Sequence, residues 1–252
     1  MTNDTPTSQP PLEKDTQQTT TVEAQKVETK AKVYELPASA TTMQIVDALL
    51  KSPESIVNQI KTGEFTKTLF ILLGVFISCH ALYGVIVGSF SGNVQWFAAP
   101  IKIVGGAMLS ALLCYPSLYI FSCLSGANVT PGQVFSLLMG GLALVSLLLL
   151  GFAPVAFIFT FSIKGIEFMG FVHLMIWSIS IYFGLRYIMT GLEFLDSRKD
   201  TWFINLWAII FIMTLLQMTT TLRPILGESD VFLTQEKLFF VEHWINELDD
   251  RK

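Results

Sequence analysis

The chain has 252 residues, of which 52% are hydrophobic and only 14% charged, with a formal net charge of −4 and a mean hydropathy of +0.55. Of its 36 Asp, Glu, Lys and Arg residues, nine fall between Thr68 and Leu222: Lys102, Lys164, Glu167, Arg186, Glu193, Asp196, Arg198, Lys199 and Asp200. Those 155 residues are too sparsely charged to make a water-facing surface, because soluble domains carry about 25% charged residues. A soluble enzyme is excluded, and an acidic chain without a basic patch is no nucleic-acid binder. The expectation is an all-α, polytopic membrane bundle.

Residues 1–40 are rich in Thr, Gln, Glu, Lys and Pro. Such a segment cannot bury enough apolar surface to offset its ordering entropy, so a disordered polar tail is expected. No cleavable signal peptide is expected at this polar start, and the first apolar span must direct insertion. Val33, Tyr34, Leu36 and Pro37 form a small apolar cluster near the end of the tail.

Residues 41–63 change character. Ile45, Val46, Leu49, Leu50, Ile56, Val57 and Ile60 recur at three- and four-residue steps, with Asp47, Lys51, Glu54 and Lys61 between them. Ser52 suits an N-cap and Pro53 the first helical position, so two short amphipathic helices in tandem are expected, ended by Gly63. The apolar stripe could lie in the headgroup layer, meet a partner, or pack on the chain's own bundle. Ile45, Leu49, Ile56 and Ile60 are its candidate contact residues.

Residues 64–222 hold five apolar runs near the ~20 residues that a bilayer demands. They cover about 68–89, 101–124, 133–153, 168–190 and 202–222. The third continues apolar to Ile163, so a kink at Pro154 is expected in place of a stop. Lys51, Lys61, Lys67, Arg198 and Lys199, joined by Arg186, outnumber Lys102, Lys164, Arg223 and Lys237 on the other side. By the positive-inside rule the N-terminus is cytoplasmic and the C-terminus outside.

Residues 223–252 are polar again. Leu233, Leu238, Phe239, Val241, Trp244, Ile245 and Leu248 are spaced for a helix with one apolar side. Phe239, Trp244 and Ile245 are candidates for contact with a partner or with the bundle, and the seven acids of this tail argue against anionic lipid there.

Chemistry-bearing residues are few. Cys79, Cys114 and Cys123 are an odd number without a CxxC, which suggests neither a disulfide framework nor zinc. His80 and His173 lie within spans at different depths and read as structural histidines, with a haem or proton relay as the sharper alternative. No HExxH, GxSxG or P-loop is present. No catalytic residue, metal or cofactor is therefore expected, and the chain does not read as an enzyme. Gly105, Gly106, Ala107 and Ala111 on the second span, and Gly140, Gly141, Ala143 and Ser146 on the third, would let helices approach closely.

From Leu112 to Pro154 the sequence resembles the YIP family, membrane proteins named for interaction with Ypt/Rab GTPases. Pro116 in the second span, Tyr119 after it, the small-residue turn at Ser125 and Gly126, Gln133 at the next helix start, and Ala153-Pro154 at its end carry the resemblance. It implies a polar cytosolic N-terminus, five spans and a short tail outside. The DLYGP-type motif of eukaryotic members is absent, which points away from GTPase binding and toward a bacterial relative in the inner membrane; a Golgi or ER membrane is the alternative. The function expected is a scaffold or accessory subunit that binds membrane or cytosolic proteins, in a homo- or hetero-oligomer, through its flanking amphipathic segments. A small transporter or channel subunit, with helices broken at Pro116 and Pro154, is the rival reading.

Overall fold

The computed structural model describes residues 36–37, 40–63, 65–91, 95–162, 166–196 and 202–222, and these are helical apart from short turns. Phe239, Trp244 and Ile245, the whole expected C-terminal helix and nearly all of the N-terminal tail lie outside the described residues. Two short helices come first, α1 (Thr42–Lys51) and α2 (Pro53–Thr62). Five long ones follow: α3 (Thr66–Ser91), α4 (Gln95–Leu124), α5 (Pro131–Ser162), α6 (Ile166–Leu195) and α7 (Trp202–Thr221). All five contain windows long and apolar enough to cross a bilayer, so the chain is an integral, multi-pass membrane protein.

Local signals set the helix ends. The Gln44 side chain accepts from the Thr41 backbone N–H (2.9 Å) at the start of α1. Pro53 opens α2, and Gly63 closes it with φ 88°, a left-handed conformation that a Cβ would strain. At the head of α5, Thr130 N–H donates to Gln133 Oε1 (2.9 Å) while Gln133 N–H donates to Thr130 Oγ1 (3.3 Å). That reciprocal pair satisfies two N–H groups that the first helical turn leaves without partners.

The spans run further than hydropathy alone suggests. α5 carries through Pro154 to Ser162, so the apolar stretch after Pro154 is helix continuation and no re-entrant piece. α4 starts at Gln95, ahead of the apolar run at about 101–124, and so takes Pro100 inside the helix. Gly84 explains how it fits. A Cβ on Gly84 would strike the Pro100 backbone, so the missing side chain gives α3 and α4 a close contact there. Pro116 and Pro154 likewise lie within unbroken helices. The discontinuous helices on which the transporter reading rested are not formed.

α3 is the central span, packed between α4 and α5; α6 lies against α5, and α7 against α4. Small residues decide the α5–α6 contact. A Cβ on Gly141 would meet the Ile188 side chain at 2.8 Å and the Gly184 carbonyl at 3.3 Å. On Gly140 it would meet the Tyr187 hydroxyl at 2.6 Å. Gly105, by contrast, would meet nothing within 4 Å.

α1 and α2 sit across one end of this bundle, here called the hairpin end. Ile45, Leu49, Ile56 and Ile60 are all buried in the core shared with α3, α5 and α6. Of the three coverings that the sequence left open for this stripe, the one formed is the chain's own bundle. Each such side chain contributes roughly 1.5–3 kcal/mol by leaving water. A headgroup layer would offer a similar gain, so polar fit decides the matter. Thr68 Oγ1 donates to Gln59 Oε1 (2.8 Å) in a buried bond, and Lys61 Nζ reaches the Phe194 carbonyl (3.4 Å). Asn128 N–H donates to Asp196 Oδ2 (2.6 Å), which brings the α4–α5 turn and the α6 terminus to the same end. An odd number of spans then leaves Leu222, after α7, at the opposite end.

Gly184→Val should force α5 and α6 apart and lower stability by roughly 1–3 kcal/mol through overpacking. Gly105→Ala, with open space around it, should leave the thermal midpoint in detergent unchanged or slightly raised. Equal midpoints for the two variants would remove the close-approach role of Gly184.

Candidate functional site

Among the described residues, a cleft of ≈590 Å³ has α6 and α7 as its two walls and α4 and the end of α3 as its floor. It follows from the packing order, because α6 and α7 flank the row of spans and each leans on a different inner helix. Most of the lining is apolar, including Ile103, Leu174, Ile181, Leu185, Ile212 and Leu215. Its size falls within the roughly 300–1,000 Å³ of small-molecule sites.

Polar side chains interrupt that lining near the far end of the bundle, His173 and Lys102 among them. Tyr83 of α3 and His173 of α6 are joined, hydroxyl to Nδ1, at 2.6 Å, with their rings edge to face. His173 Nε2 is buried and has no hydrogen-bond partner among the described residues. Lys102 of α4 also lines the cleft and is itself buried.

These groups share a level. Lys102 and His173 are each seven residues inside the far end of their helices, and Tyr83 is eight. At 1.5 Å per residue that is about 10–12 Å of depth. His80 lies one turn deeper on α3, so the two histidines do differ in depth, as the sequence suggested. His80 packs on Phe76 (4.6 Å between centroids) and edge-on to Trp177 (6.3 Å). Its Nδ1 is buried without a partner among the described residues, beside a void of ≈20 Å³. Among the described residues no group of three His, Cys, Asp or Glu is placed to hold a metal.

A second groove of ≈400 Å³ runs between the hairpin and the α5–α6 pair, lined by Leu50, Glu54, Leu144, Arg186, Tyr187 and Phe194 among others. On the outer face of the hairpin, Asp47 and Lys51 form an exposed ion pair at 2.6 Å. Met43 stays exposed, and Leu50 is exposed where it borders the groove, while their neighbours on the stripe are buried.

Of the sequence-named candidates, the four hairpin residues come together, facing inward. The Tyr83–His173 bond was missed, although both histidines had been singled out; nothing local joins two residues that lie 90 positions apart in different spans.

Tyr83→Phe should leave His173 Nδ1 buried and unsatisfied at a cost of roughly 1–3 kcal/mol, read as a lowered thermal midpoint in detergent. An unchanged midpoint would mean that the bond holds nothing in place.

No family model matches the chain, and no curated protein or solved structure matches it either.

Proposed function

We propose that the protein is a non-enzymatic accessory subunit or scaffold of a membrane assembly, which holds other membrane or cytosolic proteins at its hairpin end. The observation that carries this reading is the docked hairpin. Its apolar stripe and its buried polar residue Gln59 are tied into the spans. It is therefore a fixed platform on the bundle, with Met43 and Leu50 left facing outward beside the Asp47–Lys51 pair. Exposed large apolar side chains beside charges suit a protein contact at an interface rim. The resemblance to the YIP family supports the same kind of role, with the hairpin in the cytoplasm and a bacterial inner membrane as the location. The lysines and arginines near the span ends favour that orientation.

Two measurements test this. Met43→Asp with Leu50→Asp should leave the spans inserted, because both side chains are exposed, while co-purification of partners in mild detergent falls by about tenfold, the equivalent of 1.4 kcal/mol. Partners retained in an unchanged ratio would overturn the platform role. For orientation, a cysteine in place of Ser8 should resist an impermeant thiol reagent in intact cells, and one in place of Ser229 should react. Labelling of both from one side would overturn it.

A further inference from the structure

The groove between the hairpin and the α5–α6 pair carries two charges of opposite sign that do not meet. Glu54 of α2 and Arg186 of α6 both line it, and both side chains are exposed. Among the described residues neither has an ion-pair partner, whereas Asp47 and Lys51 on the same hairpin close to 2.6 Å.

The register of α2 on α6 brings both charges to one stretch of the groove. Lys61 Nζ reaches the Phe194 carbonyl, and a Cβ on Gly191 would meet the Val57 side chain at 3.3 Å. α2 therefore runs against the direction of α6. Glu54, about one turn before Val57, falls on the side of Arg186.

The depth of Arg186 identifies an anion. It stands nine residues from the end of α6 at Leu195, about 13 Å at 1.5 Å per residue. A helix of 30 residues, about 45 Å, matches a bilayer together with its headgroup layers. The Arg186 backbone thus lies just below the hydrocarbon boundary of the leaflet at the hairpin end. A guanidinium there is costly unless it reaches back to the interface and meets a negative group. Phospholipid phosphate is the anion of that level. Deeper in the groove the wall is apolar, with Phe183 of α6 and Leu144 and Leu148 of α5. They stand 12, 13 and 17 residues from the hairpin ends of their helices, about 18–26 Å, which suits an acyl chain of the same leaflet.

Glu54 decides which headgroup fits. A purely anionic one would set its charge against the carboxylate. One that also carries an ammonium answers both residues. Ethanolamine offers N–H donors to a carboxylate, and choline, fully methylated at nitrogen, offers none.

We propose that this groove binds one phosphatidylethanolamine of the leaflet at the hairpin end, its phosphate accepting from Arg186, its ammonium donating to Glu54, and an acyl chain lying along Phe183, Leu144 and Leu148. The lipid closes a charge pair that the chain leaves open, and so ties α2 to α6.

The full-length protein, purified and stripped of lipid in detergent, would be exposed to equal amounts of phosphatidylethanolamine, phosphatidylcholine and phosphatidylglycerol with identical chains. Native mass spectrometry then counts what is retained. We expect one phosphatidylethanolamine per chain, favoured by about tenfold over each of the others, as for a charge-assisted contact. Glu54→Gln should bring its preference over phosphatidylcholine close to unity. Glu54→Lys should turn the preference toward phosphatidylglycerol, and Arg186→Gln should weaken retention of all three. No retained lipid on the wild type, equal retention of the three, a wild-type preference for phosphatidylglycerol, or a preference unchanged by Glu54→Gln would overturn the proposal. So would a stoichiometric membrane protein that co-purifies with the wild type and is lost in Arg186→Gln, because a polypeptide would then occupy the groove. Should Arg186→Gln fail to fold, the two Glu54 variants still decide the matter, since they change an exposed side chain and leave the spans intact.

Discussion

Hydrocarbon offers no partner to a backbone N–H or C=O, and the architecture of this protein follows from that constraint. Each span must close its own hydrogen bonds, so each is a helix, and the helices of α4 and α5 continue even through Pro100, Pro116 and Pro154. The hydroxyl groups obey the same rule. Ser110, Ser122, Ser136 and Ser180 all donate to the carbonyl four residues earlier, at 2.7–2.9 Å. Each hydroxyl is satisfied inside its own helix. Serine in these spans is thus small and effectively apolar toward its neighbours, which lets it stand at helix contacts beside glycine and alanine.

Because water is absent between the spans, burial of leucine against leucine gives little drive for association there, and close fit has to supply it. The α5–α6 contact does so through Gly140, Gly141 and Gly184, and the α3–α4 contact through Gly84 and Pro100. The hairpin lies in the other regime. At the hairpin end water is available, so the apolar faces of α1 and α2 do gain by leaving it. The same chain therefore uses the hydrophobic effect for its hairpin and surface complementarity for its spans.

This division explains what the sequence made legible. The five spans, the Ser52–Pro53 break and the stop at Gly63 each depend on a run or a local signal, and each appears where residue pattern places it. The destination of the hairpin stripe was not legible, since periodicity reveals that a face is apolar and not what covers it. Gln59–Thr68 settles that question, yet both residues look like ordinary polar positions in the sequence. The start of α4 ahead of Pro100 was not legible either, because a proline six positions into a helix is unusual and its fit depends on Gly84, which lies in a different span. His80 and His173 could be named from sequence, but the bond that joins His173 to Tyr83 spans 90 residues. Gln133 is a different case. It entered as part of a family resemblance and has a sufficient local reason, the reciprocal cap with Thr130.

The two ends of the molecule consequently carry different kinds of polar residue. At the hairpin end, charges such as Asp47, Lys51 and Glu54 are exposed, where solvent weakens their mutual attraction and leaves them free to be exchanged for a partner's. Near the far end, Tyr83, Lys102 and His173 are buried. A polar group held at that depth is expensive unless something answers it. Tyr83 and His173 answer each other. Among the described residues, three buried side-chain atoms of the spans have no hydrogen-bond partner, His80 Nδ1, His173 Nε2 and Tyr187 Oη, and each stands on α3 or α6 where the neighbouring surfaces are apolar.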